Sequence, residues 1–212
     1  GVDRVKKFIA WLLVAVMCLG TTAFAEDSVK YKEEVVIGLR QQVTTLDPQA
    51  LANTAQNQVL KFWHATLVDL NPVTNEIVSD LAESWNWIDD TTIEFKLFEN
   101  AKFHNGEPVR ASDVVFTVNR GLEGVASKSR MSLFASVEAV DDLTVRFTLN
   151  KPNVDLLDTL SLPVCSILSE KAFQDDPDEG FKVGAGPWVL DEFVVNDHMS
   201  FSRFEDYHFG PM

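Results

Sequence analysis

The chain is poor in cysteine, histidine and basic residues, and each shortage excludes a class of protein. Its 212 residues include two cysteines and four histidines, and 18 basic residues stand against 32 acidic ones. A net charge of -14 repels phosphate backbones, so nucleic acid is excluded as a partner. Only Cys165 lies outside the N-terminal apolar segment, so we expect no internal disulfide and a fold that depends on its apolar core.

Long apolar runs are also lacking, but the chain begins with a short one. Three basic residues precede the apolar residues 8–20, and an Ala-Phe-Ala triplet at 23–25 has the small-x-small pattern of a peptidase site. A transmembrane helix needs about 20 apolar residues. Residues 1–25 are therefore predicted to be a cleaved signal peptide, followed by a polar lead-in over residues 26–34. Bulky residues precede Cys18 where a lipoprotein peptidase needs small ones, so we expect a freely diffusing exported protein, periplasmic or extracellular.

The chain as a whole is apolar enough to fold, because 46% of its 212 residues are hydrophobic and 10% are aromatic. Residues 35–39 are predicted to form a buried strand, and residues 93–97 alternate between apolar and charged as a half-buried strand does. Asn105-Gly106 predicts a tight hairpin turn, and Ser112-Asp113 predicts the start of a helix. Strands, hairpins and helices thus mix without regular alternation, which predicts an α+β fold with a hairpin-rich mixed sheet and flanking helices.

A ten-residue pattern occurs twice, at residues 88–97 and 140–149, each time with Asp-Asp at its turn. Solenoids need three or more such units, so we attribute the similarity to similar turn chemistry. Residues 164–168 are predicted to form a further strand, and Ser169 is predicted to cap a short helix. A last hairpin is expected to turn at Asn196-Asp197.

Catalytic and metal-binding patterns are missing from the sequence. The histidines are dispersed, no His-Glu-x-x-His occurs, and Cys165 lies in an apolar stretch. Gly184-Ala185-Gly186 precedes a proline and a tryptophan where a phosphate-binding helix would have to begin. We therefore expect no enzymatic activity, no cofactor and no metal. Gly184 and Gly186 allow the backbone to come close to something, either at a cleft or in a plain turn.

Several blocks resemble the family 5 extracellular solute-binding proteins, the dipeptide, oligopeptide and nickel receptors of ABC importers. The principal ones are SDLAESW at 79–85, FHNGEP at 103–108 and ASDVVF at 111–116; TLDP at 45–48, VGAGPW at 183–188 and Asp206-Tyr207 agree with them. The resemblance covers about residues 35–207. It implies two lobes that close on a ligand, with the second lobe inserted into the first. By that implication residues 35–212 are the N-terminal part of the first lobe, the second lobe is absent, and the chain is a fragment.

The resemblance also implies a function. The protein is expected to capture a di- or oligopeptide outside the cytoplasmic membrane and to deliver it to the permease subunits. At full length the receptor is expected to be a monomer. The loop of residues 41–45 follows the predicted buried strand, and strand ends commonly carry ligand sites. We expect ligand contacts from Gln42, Thr44 and Thr45. Met131, Phe134, Gly186 and Trp188 are also expected to contact the ligand. Met131 and Phe134 are expected to form a lip, Gly186 to line the cleft, and Trp188 to lie near the hinge.

Three alternatives remain open from the sequence. The same fold could bind nickel, a sugar oligomer or an opine. An exported hydrolase would need a nucleophile and a base, and the sequence offers no such pair. A secreted sensor or adhesion module would share the fold but would bind a partner protein.

Overall fold

The computed structural model describes residues 35–50 and 53–210, so the predicted signal peptide and lead-in lie outside the described residues. Residues 35–38 fall in a separate N-terminal unit, and all the described helices and strands lie in the unit that begins at Leu39. The helices are α1 (Thr54–Trp63), α2 (Ala111–Glu123), α3 (Lys128–Met131), α4 (Leu156–Leu160) and α5 (Glu170–Asp175). The strands are β1 (Val68–Leu70), β2 (Ile77–Ser79), β3 (Ala82–Trp87), β4 (Thr92–Leu97), β5 (Phe134–Ala139), β6 (Thr144–Leu149), β7 (Trp188–Phe193) and β8 (Met199–Arg203). None of the helices within these residues is long and apolar enough to span a bilayer.

Four hairpins dominate the architecture, as the turn residues predict. β1–β2 and β7–β8 form two-stranded sheets, while β3 to β6 form a four-stranded sheet in the order β3-β4-β6-β5. Every pairing among the described strands is antiparallel, so the sheet that the sequence predicted as mixed is antiparallel here. The reason is local, because each hairpin pairs consecutive strands and the two hairpins meet at β4 and β6. The Asn105-Gly106 turn also forms, with Gly106 at a φ of 85°.

The two copies of the repeated pattern are neighbours in the four-stranded sheet. Each copy forms the turn and the second strand of one hairpin. The two hairpins have an irregularity at the same place, between Ala82 and Ser84 in one and between Phe134 and Ser136 in the other. The turn bonds also match, since the Thr91 amide donates to Asp89 Oδ1 over 2.8 Å and the Leu143 amide donates to Asp141 Oδ1 over 2.8 Å. The repeat therefore corresponds to a local twofold relation between paired hairpins, a relation that the sequence did not indicate.

The main core lies between one face of this sheet and α2. Phe95 and Phe147 are fully buried there, and their rings meet edge to face with centroids 5.6 Å apart. Val114 and Val118 line the side of α2 that belongs to the same apolar cluster. Alternation along β4 and β6 places these rings inward and leaves charged side chains on the other face.

Three local predictions need correction. Residues 35–39 form no strand, because a strand requires a neighbour for its backbone hydrogen bonds and none of the described strands pairs with them. Residues 164–168 form no strand either; a 3₁₀ turn at Pro163–Cys165 begins there instead. Ser112 was predicted to cap helix α2, but the cap is Arg110, whose amide donates to Asp113 Oδ2 over 2.8 Å.

Candidate functional site

The loop of residues 41–50 buries apolar side chains and presents polar ones. Val43 and Leu46 are only 6% and 3% exposed, and both pack in a small second core with Trp63 of α1. The residues predicted to bind ligand lie on either side of these anchors: Gln42 and Thr44 are exposed, and Thr45 is half-buried. The loop is thus attached to the protein through its apolar residues, which leaves the Gln42 and Thr44 side chains accessible.

One end of this loop is fixed by Asn53, the residue before α1. Its Nδ2 donates to the Gln42 carbonyl over 2.9 Å, and its Oδ1 accepts from the Gln56 amide over 2.9 Å. The second bond is a helix N-cap, so the side chain that starts α1 also holds the beginning of the loop.

The other end is fixed by an ion pair between Asp47 and Arg120 of α2. The guanidinium donates to both carboxylate oxygens, over 3.1 Å to Oδ1 and 2.6 Å to Oδ2. It also donates to Gln49 Oε1 over 2.6 Å, while Gln49 Nε2 donates to the Thr117 carbonyl over 2.8 Å. The Phe173 ring lies 4.9 Å from the guanidinium carbon, at cation–π distance. We call the contacts among Asp47, Gln49 and Arg120 the loop clamp.

The clamp also orients Thr45. The Asp47 amide donates to Thr45 Oγ1 over 3.1 Å, and this bond uses an oxygen lone pair. A hydroxyl carries one donor proton as well as two acceptor lone pairs. The Thr45 hydroxyl can therefore still donate its proton to an acceptor on a bound molecule.

The glycine-rich segment of residues 183–188 packs against the end of α1. The Gly186 amide donates to the Trp63 carbonyl over 2.9 Å. His104 closes the other side, because its amide donates to the Gly184 carbonyl over 2.8 Å and its Nε2 donates to the Gly186 carbonyl over 3.0 Å. A Cβ atom at Gly184 would lie 1.8 Å from the Trp63 carbonyl oxygen. The first glycine is therefore required by close backbone packing.

Two histidines near this segment are neutral. The pKa of His64 is lowered to about 3, chiefly by burial and also by proximity to His104, while the Phe181 carbonyl and the Asp47 carboxylate oppose the shift. Burial also lowers the pKa of His104, and the Gly186 carbonyl opposes that shift. Neither imidazole therefore contributes a positive charge at neutral pH, unlike Arg120.

The other predicted site residues have different surroundings. Met131 and Phe134, expected to form a lip, are 1% and 5% exposed and belong to the main core, because α3 and the start of β5 turn both side chains inward. Gly186 is buried, and both its backbone polar groups are hydrogen-bonded. Trp188 is half-buried at the start of β7. Gln42, Thr44 and Thr45 share one loop, and both that loop and the glycine-rich segment pack against Trp63.

The sequence did not indicate the residues that hold the loop. Asp47 and Arg120 are 73 positions apart, and their pairing depends on how α2 packs. One signal was present, since Asp113, Thr117 and Arg120 repeat at helical spacing and define a polar strip on α2. Asp113 and Thr117 are 7% and 1% exposed, so this strip faces inward.

Metal binding has no counterpart in the part of the chain described here. Across residues 35–50 and 53–210, no three His, Cys, Asp or Glu side chains are grouped so that they could hold a metal ion. The conspicuous polar feature is the clamped loop, which offers amide and hydroxyl groups to a ligand.

Solved structures with this fold are periplasmic binding proteins. The chain is similar to the substrate-binding domain of an oligopeptide ABC transporter from Bacillus anthracis, with a TM-score of 0.74 and 25% identity over 80% of this chain and 37% of that one. It is also similar to the binding protein AgaA of A. tumefaciens R10, solved with agropinic acid, with a TM-score of 0.72 and 30% identity over 78% of this chain and 34% of that one. The fold therefore represents part of a lobe of a periplasmic binding protein, as the sequence predicted.

The family follows from the sequence comparison. The model of the bacterial extracellular solute-binding proteins, family 5 Middle, matches residues 76–211, which is more than half of the chain. The chain is 30% identical over 200 residues to the glutathione-binding protein GsiB of Escherichia coli K12, covering 92% of this chain and 38% of GsiB. The chain belongs to the family 5 solute-binding proteins, which confirms the predicted resemblance. Members of this family are binding, non-enzymatic components of transporters, which confirms that no catalytic role is to be assigned.

Proposed function

We propose that this protein is the solute-binding component of an ABC importer and that it captures di- or oligopeptides. The observation that carries the proposal is the clamped loop of residues 41–50, which presents polar side chains on a chain of the family 5 class. Residues 35–212 then form the N-terminal part of the first lobe. The chain spans 38% of the length of GsiB, so the remaining ligand contacts are expected from parts of the protein outside this sequence.

Peptides fit the chemistry of this loop. A peptide presents alternating amide donors and carbonyl acceptors. The Gln42 amide offers a carbonyl acceptor and two N–H donors, and the Thr44 and Thr45 hydroxyls each offer one donor and acceptor lone pairs. Two relatives are named for such ligands, since GsiB binds glutathione and the Bacillus anthracis protein belongs to an oligopeptide transporter.

Capture proceeds without chemistry on the solute. Ligand binding between two lobes favours the closed arrangement by as much as the ligand prefers that arrangement to the open one. The closed receptor then docks on the permease subunits at the membrane. This role requires a location outside the cytoplasmic membrane, periplasmic or extracellular, which agrees with the signal peptide predicted over residues 1–25. A full-length monomer suffices for it.

Agropinic acid and related solutes are the second candidate. AgaA, solved with agropinic acid, is 30% identical to this chain, and MoaA, solved with mannopinic acid, is 29% identical. Those identities are as high as the identity to GsiB, so the ligand class is decided by experiment. Nickel is less favoured, because the neutral, buried His64 belongs to no metal-binding group among the described residues.

Isothermal titration calorimetry of the complete gene product tests the proposal. Reduced glutathione, mixed dipeptides, agropinic acid and Ni²⁺ are titrated separately. Saturable heat with glutathione or dipeptides supports the proposal, and heat with agropinic acid alone favours the second candidate. Heat with Ni²⁺ alone, or with none of the four, would overturn the peptide assignment.

The loop is tested by one variant and its control. Gln42→Ala removes an exposed amide from the loop, whereas Gln174→Ala removes an exposed amide from α5. We expect the dissociation constant to rise about tenfold for Gln42→Ala, the loss of one or two hydrogen bonds, and to stay unchanged for Gln174→Ala. Equal affinities for the two variants would remove Gln42 from the site.

A further inference from the structure

Residues 42–46 belong to no helix or strand, so no regular backbone ladder holds them. Their conformation is fixed by the apolar anchors, by Asn53 at one end and by the loop clamp at the other. Of these contacts, the clamp alone carries a full charge. It also joins the loop to a different element of the fold, because Arg120 is part of α2.

We propose that Arg120 is a positioning residue for ligand binding, which holds the loop of residues 42–47 in its binding conformation before the ligand arrives. The inference rests on the proposed function for the role of the loop, whereas the clamp itself is a contact within the protein. Arg120 does not need to touch the ligand. It acts through Asp47, whose amide orients the Thr45 hydroxyl.

The geometry of Arg120 suits this role better than a surface ion pair would. Its planar guanidinium binds both oxygens of Asp47 and packs over Phe173, which fixes the orientation of the group as well as its charge. The Arg120 and Asp47 side chains are 27% and 21% exposed. Partial burial weakens screening by water and salt, so the pair remains effective at physiological ionic strength.

Preorganisation is the physical benefit. A loop that is disordered before binding loses conformational entropy when the ligand orders it, and that loss reduces affinity. A loop that is already fixed avoids most of the loss. The clamp is therefore expected to affect ligand affinity even though its side chains bind one another and are not required to touch the ligand.

Arg146 provides a matched control. It is also an arginine with two partners, donating to Glu94 over 2.8 Å and to Glu138 over 2.8 Å. These partners lie on β4 and β5, on the polar face of the four-stranded sheet. Arg146→Met therefore removes a comparable set of charge-assisted bonds without touching the loop clamp.

Hydrogen exchange tests the clamp without any ligand. The Asp47 and Gln49 amides donate to Thr45 Oγ1 and Asp47 Oδ1, and their exchange reports on the order of the loop. We expect exchange at both amides to be about tenfold faster or more in Arg120→Met and unchanged in Arg146→Met. Protection of the β4 amides serves as the internal check that the variant is folded. Unaltered loop exchange in a folded Arg120→Met protein would overturn the proposal.

Arg120→Lys covers the case in which the methionine variant does not fold. Lysine keeps the charge but lacks the fork that binds two oxygens, so intermediate exchange is expected. Wild-type exchange in Arg120→Lys would show that charge alone suffices and would overturn the role of the fork.

A titration of the complete gene product with reduced glutathione supplies the functional readout. We expect the dissociation constant to rise about tenfold in Arg120→Lys and to stay unchanged in Arg146→Met, because only the first loosens the loop. Faster loop exchange with unchanged affinity would overturn the positioning role. If the wild-type protein binds no glutathione, glutathione is excluded as its ligand, which counts against the proposed function. The hydrogen-exchange measurement still decides whether Arg120 orders the loop.

Discussion

Glu94 and Arg146 lie opposite each other at the centre of the four-stranded sheet, with Arg146 Nη2 2.6 Å from Glu94 Oε1. They are 52 positions apart, and the same offset relates the two copies of the repeated pattern. Thr92 pairs with Thr148 on one side of them and Lys96 pairs with Thr144 on the other, as a local twofold axis requires. The ion pair therefore marks the axis between two hairpins of similar construction.

The twofold relation predicts equal core roles for Phe95 and Phe147. Both side chains are fully buried and occupy equivalent positions. Each ring contacts the other and one further aromatic ring, so replacing either with alanine is expected to leave a cavity of similar size. We expect each variant to lower the free energy of unfolding by about 3–5 kcal/mol. Urea denaturation monitored by circular dichroism measures this.

Val125→Ala is the control for this pair, since Val125 is 97% exposed and the change is expected to stay within about 0.5 kcal/mol. The double variant should cost less than the sum of the two singles, because the two rings contact each other. Single-variant losses that differ by more than a factor of about two would contradict equivalence, given the spread seen at fixed chemistry.

A second prediction concerns Gly184. An added Cβ would lie 1.8 Å from the Trp63 carbonyl oxygen, so Gly184→Ala must push the glycine-rich segment away from α1. We expect a loss of about 3 kcal/mol or more, because the obstructing atom belongs to the backbone and cannot rotate away. Thermal unfolding by differential scanning calorimetry measures the loss.

Gly38→Ala is the comparison for the glycine prediction, because nothing lies within 4 Å of a Cβ at that position. We expect its unfolding temperature to match that of the wild type. An unfolding temperature for Gly184→Ala equal to that of Gly38→Ala would show that the close approach is not required.

A third prediction concerns Asp80, whose Oδ2 accepts from the Thr66 amide over 2.7 Å. The pKa of Asp80 is raised from 3.8 to about 7, chiefly by burial and also by the charge of Asp69, while hydrogen bonds from Thr66 and the charge of Lys61 oppose the rise. The folded state therefore keeps a proton that the unfolded state has lost. From this group, the free energy of unfolding is highest below about pH 4 and falls as pH rises toward about 7.

Asp80→Asn removes this titration and retains an acceptor for the Thr66 amide. We expect the unfolding temperature of the variant, relative to wild type, to rise as pH increases through this window and then to level off. The difference between the two proteins is needed because His64, with its lowered pKa, destabilises the wild type as pH falls below 6.5. Asp90→Asn, at an exposed turn, is the control, and parallel curves for Asp80→Asn and wild type would contradict the prediction.

Local patterns predicted the hairpins well, because their turn residues act over two to four positions. Alternation of apolar and charged residues located β4, and Asn105-Gly106 located the turn between Lys102 and Pro108. Asn196, at a φ of 66°, lies in the β7–β8 turn as expected. The strand predicted at residues 35–39 does not form, because a strand depends on pairing with a second strand and not on local residues alone. Met131 was likewise predicted to line the ligand site, but α3 directs its side chain into the core.

The family, the hairpin-rich fold and the polar character of the loop at residues 41–50 were all predictable from the amino-acid sequence. These properties depend on local spacing and on short blocks of residues, which are present in the sequence whatever the tertiary contacts are. Three contacts became visible in the folded protein alone: Arg120 binds Asp47, Gly184 lies against the Trp63 carbonyl, and the two repeated hairpins pair with each other. Each of these contacts joins residues far apart in the chain, so it arises only when the packing of the core brings them together.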